Sequence, residues 1–255
     1  MILTVDGAQL TALLLASVRV VAWLAVVPPF STRGVPAMAK VVLAIGLSMS
    51  MAPTLATQDL PSTTPGLLLA TASQALVGVA MGYVTMLLFS AVGAAGALID
   101  LFGGFALASA WDPLGMNMNT VFGRFHQMLA TVLLLVSGGH LLVIGGLLST
   151  FRFLPLTGTP DVSSWDAVIV TAFSMFFTIA VQMALPMIAV LFVADLALAL
   201  LTKVAPQLNA LNVMFPAKVG LTLLLLGLSF PMLPVAVERL VGLANEAMAT
   251  MAGAG

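Results

Sequence analysis

Residues able to do chemistry are sparse in this chain. The two histidines, His126 and His140, have no HExxH motif, carboxylate cluster or cysteine beside them that would complete a metal site. His140, in SGGHLL, is expected to hydrogen-bond to a neighbouring helix or to sit at the membrane interface. Ser137 lies in VSGG, without the glycine two residues earlier that a nucleophile elbow requires. Asp100 and Asp195 could pose as an aspartyl pair, but neither lies in a recognisable catalytic context. No phosphate-binding or dinucleotide fingerprint occurs. The chain has no cysteine, which excludes disulfides, thiolate metal sites and cysteine nucleophiles. The sequence therefore assigns no catalytic residue, no metal ligand and no cofactor, and an enzyme is not expected.

Two ionisable residues stand inside apolar runs: Arg19 in LASVRVVAWL and Asp195 in FVADLALALL. A charge there costs at least about 2.5–3.5 kcal/mol at a helix centre on insertion scales, so each should face protein or water. One reading is a proton or ion relay in a secondary transporter. The other is that Arg19 and Asp195 fix helix packing, with each other or with neighbouring subunits. A transporter usually carries more intramembrane polar residues than this, which favours packing.

The elements that must hold these residues are apolar. Of 255 residues, 61% are hydrophobic and 7% charged, and the mean hydropathy is +1.18. Soluble domains carry roughly 25% charged residues, so this composition specifies an all-α integral membrane protein. A net charge of −1 gives no footprint for nucleic acid. The N-terminus MILTVDGAQL lacks a basic region, and Arg19 interrupts the following apolar run, so no cleaved signal is expected. Six apolar blocks stand out, at about 9–30, 41–56, 67–98, 128–149, 167–201 and 219–235, the second ending at Pro53. A span needs roughly 20 residues, so the third and fifth blocks are oddly long. Gly78, Gly82, Gly93 and Gly96 give the third small-residue faces, Gly78 and Gly82 as a GxxxG pair that permits close helix approach. Pro186 should kink or divide the fifth. The tail EAMATMAGAG is expected to fray.

Charges alternate by loop. Arg33 and Lys40 follow block one, and Lys203 and Lys218 lie between blocks five and six, whereas the intervening loops and both ends are acidic. By the positive-inside rule, loops one and five are cytoplasmic and both termini lie outside.

The stretch Asp100–Arg124, DLFGGFALASAWDPLGMNMNTVFGR, joins two apolar blocks yet is itself apolar. Its Gly103-Gly104 pair and its Asp112-Pro113 step oppose helix, so it is expected to be broken or non-helical. Irregular backbone at membrane depth survives only where protein buries it or where it lines a cavity. The stretch is accordingly the candidate constriction.

Four motifs resemble the FliR/SctT family, the export-gate subunits of flagellar and virulence type III secretion systems. After Arg19, VVPPFSTRGVPAMAKVVLAIGLS presents Pro29, Phe30, Arg33, Val35, Pro36 and Lys40 in the order of the family's opening signature. LIDLFGGFALASAWDP is similar to its glycine/phenylalanine stretch ending in Asp-Pro. GGHLLVIGGLLSTFRFLP (138–155) resembles its fourth helix and following turn. APQLNALNVMFPAKVGLTLLLLG carries Pro206, Gln207, Asn209 and Pro216 like the family's Pro-Gln-Leu-Asn…Phe-Pro turn, in a form close to flagellar members. Asp195 departs from the pattern, falling where an uncharged polar residue is expected.

The resemblance implies one copy of this chain in a gate with several copies of FliP and FliQ, with FlhB around the entrance and the FlhA ring below. The site would be the bacterial inner membrane at the flagellar basal body. It further implies kinked helical hairpins, a FliP-like half (about 1–165) fused to a FliQ-like half (about 166–255), and no catalysis. Carried across residue by residue, the pore plug would be Phe102, Gly103, Gly104, Phe105 and neighbours to Trp111. Apolar side chains close a narrow pore by dewetting, and glycines let such a loop move. Met116 and Met118 would add a deformable lining or simply pack. Unfolded export substrates and membrane lipid are the remaining expected contacts. The alternative from another class stays a secondary transporter using Arg19 and Asp195.

Overall fold

The computed structural model describes residues 6–32, 34–105, 120–204 and 210–254, with only the backbone described at 210–213 and 228. Among these residues the regular structure is entirely helical. The helices are α1 (Gly7–Val26), α2 (Ala37–Leu55), α3 (Thr64–Gly103), α4 (Val121–Val136), α5 (Gly139–Phe153), α6 (Trp165–Val204), α7 (Ala210–Ser229) and α8 (Met232–Met251). A 3₁₀ turn, Val162–Ser164, leads into α6. α1, α2, α3 and the Val162–Val204 run are each long and apolar enough to cross a membrane. The bent pairs α4/α5 and α7/α8 bring the number to six if each pair is one span. This is an all-α integral membrane protein.

Two lengths carry information. α3 and α6 have 40 residues each, which at 1.5 Å per residue is about 60 Å, twice the roughly 30 Å hydrocarbon core. Neither fits a simple perpendicular span. α6 runs through Pro186 as one helix, so of the two expectations, a kink or a division, the block is not divided there. The proline removes one backbone donor, which the flanking turns of a 40-residue helix absorb. Likewise α2 continues past Pro53 to Leu55.

Three other expectations are corrected. Asp100–Gly103 is helical, closing α3, and the chain turns at Gly104 with φ +84°. Left-handed backbone directly after a helix is the usual place for glycine, since a Cβ there is strained. The fourth block divides at Ser137-Gly138, where Gly138 takes φ +74°. The C-terminal segment does not fray: α8 holds it to Met251, with Ala244, Met248 and Met251 buried.

The chain forms two compact units. The first comprises residues 1–88, 140–173 and 241–255; the second comprises 89–139 and 174–240. In the first, α1 packs on α2. Gly78 and Gly82 of α3 face α1: a Cβ at Gly78 would run into the Arg19 carbonyl, and one at Gly82 would sit 3.1 Å from Val26 Cβ. In the second, Gly96 lies so close to α4 that a Cβ would strike the Phe122 carbonyl. The second unit's core is Ala95, Ile99, Phe122, Ala184, Met187, Leu191 and Leu225.

Candidate functional site

Arg19 lies wholly buried in the first unit. Its Nε donates to Gln74 Oε1 at 2.6 Å, one terminal nitrogen donates to Thr150 Oγ1 at 3.3 Å, and the other donates to the Leu154 carbonyl at 2.9 Å. The Phe151 ring lies 4.1 Å beneath the guanidinium carbon. Leu154 directly follows α5, so the cation sits on the carbonyl end of that helix, where the dipole favours it. Gln74 extends the network by donating to the Leu156 carbonyl at 2.9 Å, and Gln58 accepts from the Leu156 N–H at 3.0 Å. The node ties α1, α3 and the end of α5 together.

In the second unit Asp100 does the converse. Its Oδ2 accepts the backbone N–H groups of Phe122 (2.8 Å) and Gly123 (3.3 Å), closing the amino end of α4 from a different helix. These first-turn amides have no partner within their own helix. His126, one turn on, is buried, with Nδ1 donating to the Phe122 carbonyl at 2.9 Å and Ser229 Oγ 3.5 Å from Nε2. That is a packed histidine. His140 is half-buried in the first turn of α5.

Beside Asp100, Phe102 and Phe105 rest against the core of this unit, and Phe105 meets Phe122 edge-on with ring centres 4.7 Å apart. Gly103 is pressed on Thr222 of α7: a Cβ would lie 2.7 Å from its hydroxyl oxygen. Gly104 faces open space. The two glycines thus differ: one is a packing contact and the other a turn. Trp111, Asp112, Pro113, Met116 and Met118 lie outside the described residues, as do Arg33, Pro206, Gln207 and Asn209.

Asp195 on α6 pairs with Lys218 on α7, Nζ to Oδ1 at 2.8 Å and to Oδ2 at 3.0 Å. Lys218 is therefore a helical residue neutralised by its neighbour, and Lys203 closes the last turn of α6. Lys218 is thus not the free loop cation that the charge-alternation argument assumed, whereas Lys203 stays exposed at the end of α6. Arg19 and Asp195 have separate partners, one in each unit. Pro29 is buried after α1, Pro36 caps the start of α2, Lys40 lies half-buried in its first turn, and Pro216 is exposed within α7.

Gln74, Thr150 and Thr222 were not singled out from sequence, and Lys218 was named only as a loop cation. Gln74 carried the clearest available signal, an amide within an otherwise uncharged apolar run.

No group of three potential metal-binding side chains occurs among the described residues. The arrangement holds helix ends and helix pairs with buried polar groups. Residues 10–244 match the sequence profile of the Bacterial export proteins, family 1. The chain belongs to that family.

Relatives within this export family agree. A flagellar biosynthetic protein FliR of Escherichia coli K12 is 34% identical over 87% of this chain and 85% of its own length. The FliR of Bacillus subtilis is 28% identical over 93% of both chains. A secretion system apparatus protein, SsaT, of Salmonella typhimurium is 28% identical over 62% of this chain and 61% of its own length. The family match spans all the polar nodes described above, from Arg19 to Lys218.

Proposed function

We propose that this protein is a non-catalytic subunit of the export gate of the flagellar type III secretion apparatus, in the bacterial inner membrane at the flagellar basal body. The observation that carries the reading is the near full-length similarity to flagellar FliR proteins of distant bacteria. The apolar faces fit it: α6 exposes Phe173, Val181, Leu185, Val190, Val193 and Leu201, which lie around the helix and exceed one lipid-facing stripe. Such faces suit a chain built into a larger assembly. In this reading one copy joins FliP and FliQ, FlhB and FlhA are neighbours, and unfolded flagellar proteins pass through. Residues 1–165 form a FliP-like half and 166–255 a FliQ-like half.

The resting seal is Phe102–Phe105 with the residues on to Trp111, and Met116 and Met118 line the path. Gly104, in open space at the end of α3, is the pivot; Gly103 seats the helix end on Thr222. Apolar closure by dewetting needs no fixed chemistry and so admits any sequence once displaced. The test is twofold in the native host. Deleting the chain should abolish secretion of flagellar axial proteins while their synthesis continues. Removing residues 105–111 should raise ion leakage through the membrane. Normal secretion in the first case, or unchanged conductance in the second, contradicts the corresponding part.

A further inference from the structure

Within the second unit, α6 and the elbow between α7 and α8 border a groove of about 310 Å³. Ile179, Met183, Met232 and Val235 make its walls apolar, and Gln182 and Arg239 bring hydrogen-bond donors to it. Both donors are exposed and make no hydrogen bond or ion pair among the described residues. Glu238 precedes Arg239 but does not line the groove.

The bent α7/α8 pair is apolar enough to form one membrane span. A guanidinium held beside an apolar groove at membrane depth is costly unless water or an anion meets it. We infer that the groove binds one anionic phospholipid, with an acyl chain along Ile179, Met183 and Val235 and its phosphate on Arg239. The chemistry is complementary at both ends. The planar guanidinium offers two parallel N–H bonds to a phosphate, and the Gln182 amide supplies a further donor. Methionine side chains adapt to a flexible chain. The volume is at the lower end of the roughly 300–1,000 Å³ of small-molecule sites, which suits a single chain while the rest of the lipid stays in the bilayer. A choline or ethanolamine headgroup would bring its own cation to the phosphate and weaken the pairing, so an anionic headgroup is specified.

The test uses native membranes containing the full chain. Phosphatidylglycerol and phosphatidylcholine, each with a photoactivatable acyl chain, are crosslinked and the labelled peptides are mapped. Phosphatidylglycerol should label peptides holding Ile179–Met183 and Met232–Ala236 at least tenfold more than phosphatidylcholine does. Arg239→Gln should remove that preference, and Arg239→Lys should keep most of it. Labelling around exposed Leu69 on α3 should stay constant and so report intact protein. Equal labelling by the two lipids, a preference that survives Arg239→Gln, or a groove labelled by neither because a partner chain fills it would each overturn the proposal.

Discussion

Arg19 of α1 donates its Nε–H to the side-chain oxygen of Gln74 on α3 at 2.6 Å, and both side chains are completely buried. The pair is the centre of a node in which Arg19's other partners are a hydroxyl and a helix-terminal carbonyl. The charge is thus held by dipoles arranged around it. An unmet buried polar group costs about 1–3 kcal/mol, so this node is high in stakes and poor in substitutes.

Arg19→Ala is expected to leave Gln74, Thr150 and Leu154 without their donor and to lower the melting temperature of detergent-purified protein sharply. Arg19→Lys should recover part of the loss, because one ammonium cannot reproduce the fork that reaches all three acceptors. Normal stability in Arg19→Ala, with only function lost, would instead point to a relay.

Asp195 and Lys218 invite a double-mutant cycle. Asp195→Asn or Lys218→Gln alone leaves a charge unpaired in apolar surroundings, at a cost on the order of 2 kcal/mol or more. The double neutral variant should recover most of that. Export abolished by Asp195→Asn in a stable protein, and not restored by the second change, would show that Asp195 works as a titrating group. The same experiment separates the gate from the transporter reading.

Gly96 and Gly46 make a matched comparison. A Cβ at Gly96 meets the backbone of α4, which cannot swing aside, whereas Gly46 in α2 has nothing within 4 Å. Gly96→Ala should destabilise by about 1–3 kcal/mol through overpacking. Gly46→Ala should be neutral or stabilising, by up to about 1 kcal/mol, through helix propensity. Steady-state protein level and melting temperature report both.

Asp100 closes α4 from outside it, so Asp100→Ala should cost about 0.5–2 kcal/mol, as loss of a helix cap does, while Asp100→Asn keeps an acceptor and most of the stability. Hydrogen exchange at the Phe122 and Gly123 amides should rise in Asp100→Ala before the rest of the unit changes.

What could be read from the sequence follows the physics of each feature. The apolar blocks that form α1, α2, α3 and α6, two of them over-long, were visible because apolar length is a local property, whereas the break at Gly138 and the helix α8 were not. The glycines at 78, 82, 93 and 96 marked close helix approach, and the packing of Gly78 and Gly82 on α1 shows where the first pair is used. What could not be read depends on partners distant in sequence. Asp100 caps amides 22 and 23 residues away, Asp195 meets Lys218 across 23 residues, and Arg19 reaches 131 residues to Thr150. Lys218 looked like a loop cation because it falls near a proline-rich turn, yet α7 begins at Ala210 and tolerates Pro216 in its early turns. Gly103 and Gly104 are alike in sequence, and only Thr222 beside the first and the positive φ of the second tell them apart.

The most direct measurement of the central claim is the mass and composition of the particle that carries this chain. Tagged protein would be drawn from its native membranes in mild detergent and weighed intact, then dissociated. The account predicts one copy of this chain in a large particle with several FliP-like and FliQ-like chains. Recovery as a stable monomer or homodimer without them would contradict the gate and return attention to transport through Asp195.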